Sequence, residues 1–398
     1  MAIPVPAGFK LSGVYCGIKT LGEDPLDLSL ITCDRDATAA GVYTTNLVFA
    51  APVGLDRSRT PSQNIRAIII NSGNANACTG ERGDRDAARM AELAAATCGA
   101  KADQALVLST GIIGVFMPME KIEAGVRDAA KLLASDEASL VNAARGMLTT
   151  DTTHKLASQS IPLGGRTVQI TGMAKGAAMI GPKMATMLGL ILTDAVISPA
   201  DAQKILSIAV EDTFNCISVD GHMSTNDTVL LVASGAAGGQ PLAGADLGTF
   251  AKALHAVAAD LAKAIPLDGE GATHLVTVHV TGCANVDAAR QIAKVVSESA
   301  LVKTAIAGAD PNWGRIVSAA GYAGVPFDAS RVGLKVNGIT LYVKGAPVEF
   351  DRVAASKSIR DNRDTTVELS FGEGDARARF WTTDLTAEYV RLNADYTT

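Results

Sequence analysis

Aromatic residues are scarce in this chain of 398 residues, at 4%, so its core must be packed from Ala, Val, Leu and Ile, with close backbone approach at many of its 38 glycines. It also lacks any basic run or basic-aromatic stripe of the kind nucleic-acid surfaces carry, and its net charge is −6. Nucleic acid is therefore not an expected partner. The six cysteines (Cys16, Cys33, Cys78, Cys98, Cys216, Cys283) include no CxxC pair, which argues against a metal cage and for reduced, mostly buried thiols. Around Thr186 the uninterrupted apolar run extends only from Met184 to Leu192, well short of the roughly 18 residues of a membrane helix. The N-terminal MAIPVPAGFKLSG has the pattern of neither a secretion signal nor a transit peptide, so the expected address is the cytoplasm.

Several catalytic signatures are missing as well. No GxGxxG follows a strand, no HExxH or GxSxG occurs, and His154, His222, His255, His274 and His279 make no metal spacing. The glycine-rich GMAKGAAMIGPK is not a phosphate loop, because position 182 is Pro and position 184 is Met where that motif needs lysine and a hydroxyl. No metal or organic cofactor is implied.

What is present is a globular balance, 48% hydrophobic and 19% charged, in a length that favours two domains or more. Leu11 to Thr45 reads as short strands and turns. Strands at Ala67 to Ile70 and Ala105 to Ser109 each run into a Gly/Asn-rich loop, NSGNANACTG and STGIIG, and then a helix. The first helix is expected from an Asp84 N-cap to Ala96 with Gly99 just beyond its end; Pro118 opens the second. Thr110 and Gly111 thus sit at the end of a strand, either as a plain turn or as a site. TTDTTHK (Thr149 to Lys155) reads as an exposed cluster of hydroxyls and carboxylate, or as a helix cap. Ser198 and Pro199 open a helix to about Val210. SVDGHMSTNDT is a polar loop before the strand VLLVAS, and Gly235 to Gly248 is the loosest segment. From His274 onward a smaller α+β unit is expected, with hairpins at Asn337-Gly338 and at GEGD (Gly372 to Asp375).

Between Lys175 and Thr193 the only hydroxyl is that of Thr186, set in KGAAMIGPKMATMLGLILTD among apolar neighbours. In one reading it is a buried strand threonine whose hydroxyl finds a backbone carbonyl. In the other the chain is cut before it, and the free α-amino group of Thr186 serves as base for its own hydroxyl. The second reading needs no histidine, and none is well placed.

Taken in order, NSGNANACTG, STGIIG with MPMEKI, TTDT, MAKGAAMIGPKMATML, VDGHMSTNDT, DGEGAT, GADPNWGRI and YVRLNADYTT make the chain similar, over nearly its whole length, to the ornithine acetyltransferase (glutamate N-acetyltransferase) family of arginine biosynthesis. His222-Met223 and Ala178 depart from the family pattern. The resemblance implies an α/β fold with a layered αββα catalytic domain like those of N-terminal-nucleophile and DmpA-like enzymes, over 1–273, and a smaller C-terminal α+β domain over 274–398 that lends its tail to the site. It further implies self-cleavage between Ala185 and Thr186, with Thr186 as nucleophile and Thr110 and Gly111 as oxyanion hole. Lys175, Thr186, Glu270, Asn393 and Thr398 become substrate contacts, joined by Thr150 or Thr152, of which Thr150 is preferred. The implied reaction moves an acetyl group from N2-acetyl-L-ornithine to L-glutamate by a ping-pong route, with acetyl-CoA as a second possible donor. Two α and two β chains are expected to associate, without nucleic acid or membrane. The alternative is an amidase or aminopeptidase of the same superfamily, in which water replaces glutamate.

Overall fold

A computed structural model describes residues 3–19, 26–181 and 187–395. In its N-terminal part the strands are β1 (Phe9–Val14), β2 (Leu28–Tyr43), β3 (Ser62–Asn74), β4 (Ala105–Ile112), β5 (Lys155–Leu163), β6 (Arg166–Lys175), β7 (Leu188–Thr193), β8 (Ile217–Ser218) and β9 (Thr228–Ala233). All but β8 form one sheet in the order β4-β3-β2-β9-β7-β6-β5, with β1 added against β2.

The stretch expected to hold several short strands after Leu11 is dominated by β2, 16 residues long. Its first half, Leu28 to Cys33, pairs with β1 and its second half, Thr38 to Tyr43, with β9, while β3 pairs with Leu28 to Thr32 and again at Ala37 and Ala39. The register breaks between Thr32 and Ala37, and such an irregularity bends a strand and increases its twist. The sheet is thereby folded over itself. Ile31, Ile68, Ile70, Leu106 and Leu108 of one half meet Met173, Leu188, Leu190, Leu192, Leu230 and Val232 of the other in a single buried cluster.

Each half carries helices on its outer face. Leu30, Ile69 and Val107 pack under the helices Gly80–Ala96 and Met119–Lys131. Ile170, Ile191, Val229 and Leu231 pack under Pro199–Glu211 and Gly244–Leu267. Helix, sheet, sheet and helix stack in that order, which is the αββα sandwich. Strand β7 is buried at every residue because it is covered on both faces, and this accounts for its unbroken apolar run.

The C-terminal strands are β10 (Leu275–Cys283), β11 (Gly333–Val336), β12 (Ile339–Val343), β13 (Ala346–Pro347), β14 (Asp364–Ser370) and β15 (Ala376–Thr383). Their sheet runs β13-β12-β11-β14-β10-β15-β8 and packs on the helices Val286–Glu298 and Trp313–Gly321. Strand β8 reaches this sheet from the N-terminal part by pairing parallel with β15.

The Ser198 cap holds as expected, accepting the Asp201 N–H with Pro199 opening the helix. Asn337 and Gly338 both have positive φ, 48° and 78°, as a type I′ turn requires. Two expectations fail. The helix read from Asp84 begins at Gly80, since Asp84 faces solvent inside it and Thr79 precedes its first turn. GEGD is not a hairpin turn: β14 and β15 each pair with β10, which lies between them.

Candidate active site

Lys175 ends β6, where it pairs with Leu188, the first residue of β7. Residues 176–187 connect the two strands and carry the sequence's candidate nucleophile. Ala185 and Thr186 themselves lie outside the described residues, as does Thr398. The flanks of that connection are described, and they are fixed firmly.

On the upstream side, the Ile180 carbonyl accepts three successive amides, those of Val219, Asp220 and Gly221, at 2.8, 3.1 and 3.1 Å. The Asp220 carboxylate in turn accepts the amides of Met179 and Ile180 at 2.7 and 2.9 Å. Gly181 passes so close to Gly221 that an added Cβ would lie 2.6 Å from its carbonyl carbon, so no larger residue fits there. On the downstream side, the Met187 amide donates to Asp227 Oδ1 at 2.7 Å, and its carbonyl accepts from Thr228. Residues 218–228, read as a polar loop, are therefore a largely buried clamp on both flanks of Thr186.

Thr110 and Gly111 lie at the end of β4, as expected, and they are brought against Lys175. The Lys175 ammonium is 2% exposed and donates to Thr110 Oγ1 at 3.3 Å. Because the hydroxyl oxygen is occupied as acceptor, its own proton is free to be donated outward. Gly111 has φ +129°, and a Cβ on it would fall 2.3 Å from the Gly73 carbonyl carbon. Only glycine can hold that turn of the backbone.

Burial pulls the Lys175 amine below its ordinary range, against the opposing field of Asp151, which pulls it back. Asp151 belongs to TTDTTHK, and here the expected exposed cluster is corrected. Its side chain is fully buried and accepts from Lys155 Nζ at 2.7 Å, from the Gly176 amide at 2.6 Å and from the Thr149 amide at 3.1 Å. It caps no helix. Burial alone would raise the Asp151 carboxyl, but the ammonium groups of Lys175 and Lys155 and the Gly176 amide hold it down at about 2. Lys155 is buried as well and is shared with Asp268 at 2.7 Å. Asp268 also accepts the Thr152 hydroxyl and the Thr152 amide. Thr152 is exposed and committed to Asp268, whereas Thr150 is half-buried on the other side of Asp151.

Glu270 follows the long helix Gly244–Leu267 and is tied to the same connection, since its amide donates to the Ala177 carbonyl at 3.0 Å. Its carboxylate acts on Lys175 and accepts Asn393 Nδ2 at 2.8 Å. Asn393 lies on the C-terminal helix Ala387–Asp395, which is anchored by Tyr389, whose hydroxyl donates to Asp220 at 3.1 Å. Residues from β4, β6, the loop after the long helix and the helix Ala387–Asp395 thus converge on the described start of the 176–187 connection and the clamp that holds it.

The sequence singled out Thr110, Gly111, Lys175, Glu270 and Asn393, but it passed over the carboxyl groups that hold the backbone amides of Gly176, Met179, Ile180 and Met187, those of Asp151, Asp220 and Asp227. Each lies in a polar stretch where burial leaves no local signal. Among the described residues no three His, Cys, Asp or Glu side chains are grouped so as to hold a metal ion, and no helix is long and apolar enough to cross a membrane.

Comparison with known proteins places the whole chain. The model of the ArgJ family matches residues 10–398. The arginine biosynthesis bifunctional protein ArgJ of Rhodopirellula baltica is 45% identical over 397 residues, covering 99% of this chain and 96% of its own length. That of Symbiobacterium thermophilum is 46% identical over 399 residues, covering 100% and 98%. A crystal structure of the ArgJ protein of Bacillus halodurans is 40% identical with a TM-score of 0.51, covering 52% of this chain and 98% of that one. A full-length family match and relatives of this identity leave one placement: the chain belongs to the ArgJ family.

Proposed function

We propose that this protein transfers the acetyl group of N2-acetyl-L-ornithine to L-glutamate through an acetyl-Thr186 intermediate, after cutting itself between Ala185 and Thr186. The observation that carries the reading is the contact of Lys175 with Thr110, which joins the end of the strand leading into the Thr186 segment to the expected oxyanion donor. The names of the relatives, arginine biosynthesis bifunctional proteins, support it. So does the solved Bacillus halodurans chain, which matches over 98% of its own length but only 52% of this one, the relation expected of one product of a cut.

In this mechanism the neutral α-amine of Thr186 removes the proton from its own Oγ, which attacks the acetyl carbonyl. Thr110, its hydroxyl turned outward by Lys175, and the Gly111 amide stabilise the oxyanion. Ornithine leaves, and the glutamate amine attacks the acetyl-threonine in the second half. Glu270 meets the ornithine side-chain ammonium, and Asn393 holds Glu270 in place. Lys175, Thr150 and the terminal Thr398 serve the substrate's α-carboxylate end. The catalytic part spans 1–273, and 274–398 lends its tail. No cofactor takes part; acetyl-CoA serves as a second donor, in keeping with the bifunctional relatives, and cut chains assemble as α2β2 in the cytoplasm.

The test is acetyl transfer from N2-acetyl-ornithine with and without glutamate, with Thr186→Ala in parallel. Glutamate-dependent transfer by a cut wild type, and an uncut inactive variant, are expected. Hydrolysis indifferent to glutamate would instead mark an amidase.

A further inference from the structure

Where the C-terminal sheet meets the long helix Gly244–Leu267, polar side chains gather that the acyl transfer does not use. In β10 and β15 Thr277 is paired with Trp381 and His279 with Arg379, which puts all four side chains on one face of the sheet. Trp381 is 4% exposed and joins the buried cluster of Leu261, Ala262 and Ile265, so the long helix is seated on this face. A cleft of about 290 Å³ remains between them, with Thr277, His279, Arg379 and Trp381 on the sheet side and Asp260 and Lys263 on the helix side.

The polar groups of this cleft are left without partners. Arg379 lies over the Trp381 ring, its Cζ 3.9 Å from the ring centroid, and its Nε is buried with no hydrogen-bond partner among the described residues. Asp212 acts on the Arg379 charge from a distance, but that carboxylate is engaged by Arg290 at 2.5 Å. Among the described residues, the side chains of Arg379, Lys263, His279 and Asp260 make no hydrogen bond and no ion pair. Asp260 and Lys263 stand three residues apart on the helix, a spacing at which opposite charges pair readily, and here they do not pair with each other. Burial lowers the affinity of His279 for its proton, and the neighbouring Arg379 lowers it further, against the opposing pull of Glu368. A guanidinium nitrogen kept dry and unpaired costs free energy that an arriving carboxylate recovers.

We propose that this cleft binds a free α-amino acid, its carboxylate held by Arg379 and Lys263 and its ammonium by Asp260. An anion alone would leave Asp260 opposing it, and a cation alone would leave the Arg379 and Lys263 donors unpaired. A molecule carrying both charges on adjacent atoms satisfies both sides. The Thr277 hydroxyl and the His279 ring line the carboxylate side as further hydrogen-bonding groups. None of these residues is placed in the acyl transfer, so the inference stands apart from the assignment of Thr186.

Trp381 supplies a local reporter, being one of only two tryptophans in the chain. The other, Trp313, stacks on Tyr342 and serves as the control. The indole N–H signals of the isotope-labelled full-length protein, assigned with Trp381→Phe, are followed by NMR during titration with L-alanine, L-glutamate and L-ornithine. Propionate and phosphate are titrated in parallel. At least one of the amino acids is expected to move the Trp381 signal to saturation, and propionate and phosphate to bind about tenfold more weakly or not at all. Arg379→Gln and Asp260→Asn should each weaken the amino acid by about tenfold or more, with the Trp313 signal and the unfolding midpoint unchanged. Asp260→Asn, on the exposed side of the helix, carries the test if Arg379→Gln does not fold. A Trp381 signal that no amino acid moves overturns the proposal. So does one moved equally by propionate or phosphate, which would mark a simple anion site, or binding that survives Asp260→Asn unchanged.

Discussion

Replacing Asp151 with Asn tests whether the buried charge network beneath Lys175 acts as the structure indicates. The substitution keeps an acceptor for the Gly176 amide and removes only the negative charge. In the folded protein the carboxyl is held from 3.8 down to about 2, a displacement corresponding to about 2 kcal/mol of stability at neutral pH. Lys155 keeps its other partner, Asp268, and the Lys175 amine, already pulled below its ordinary range by burial, can lose its proton, so the loss stays near that figure and short of the roughly 3–5 kcal/mol expected when a buried ion is stranded. The sign follows from the lowered folded-state value: the contribution is complete above about pH 4 and is lost as pH falls towards about 2. Urea unfolding of wild type and Asp151→Asn should therefore differ by about 2 kcal/mol at pH 7, and the two curves should converge as the acid limit is approached. A difference that is absent at pH 7, or that persists unchanged down to pH 2, would refute the reasoning.

Gly111→Ala forces a Cβ to 2.3 Å from the Gly73 carbonyl carbon at φ +129°, so it should cost more than about 2 kcal/mol of stability and abolish transfer. Thermal unfolding and a transfer assay read both effects. Lys175→Met keeps much of the buried volume but removes the donor to Thr110. It should fold and lose about 10²-fold or more in kcat, measured at saturating N2-acetyl-ornithine. Thr150→Val should raise KM for the donor, whereas Thr152→Val, which removes a hydroxyl already engaged by Asp268, should leave KM within about twofold and act on stability.

How much was legible in the sequence depended on whether a feature is local. The Ser198-Pro199 helix start and the Asn337-Gly338 turn are written in adjacent residues, and both were readable. The length of β2 was not, because a strand that exchanges β1 for β9 across a register break looks, residue by residue, like several short ones. The pairing of β10 between β14 and β15 is a contact across about a hundred residues, so the intervening GEGD passed for a hairpin turn. In the candidate site, Thr110, Gly111, Lys175, Glu270 and Asn393 were singled out through motifs. Asp151 and Asp227 were missed because the polar residues around them suggest solvent. Only the folded chain shows that their hydrogen bonds go to backbone amides and, for Asp151, to the buried Lys155.

Acyl-enzyme chemistry at Thr186 is tested most directly by intact mass spectrometry of the purified protein given N2-acetyl-ornithine and no glutamate. The C-terminal chain, beginning at Thr186, should become heavier by one acetyl group, with the modification on that threonine, and should lose it when glutamate is added. A single uncut chain, or a cut chain that carries no acetyl group while transfer proceeds, would contradict it.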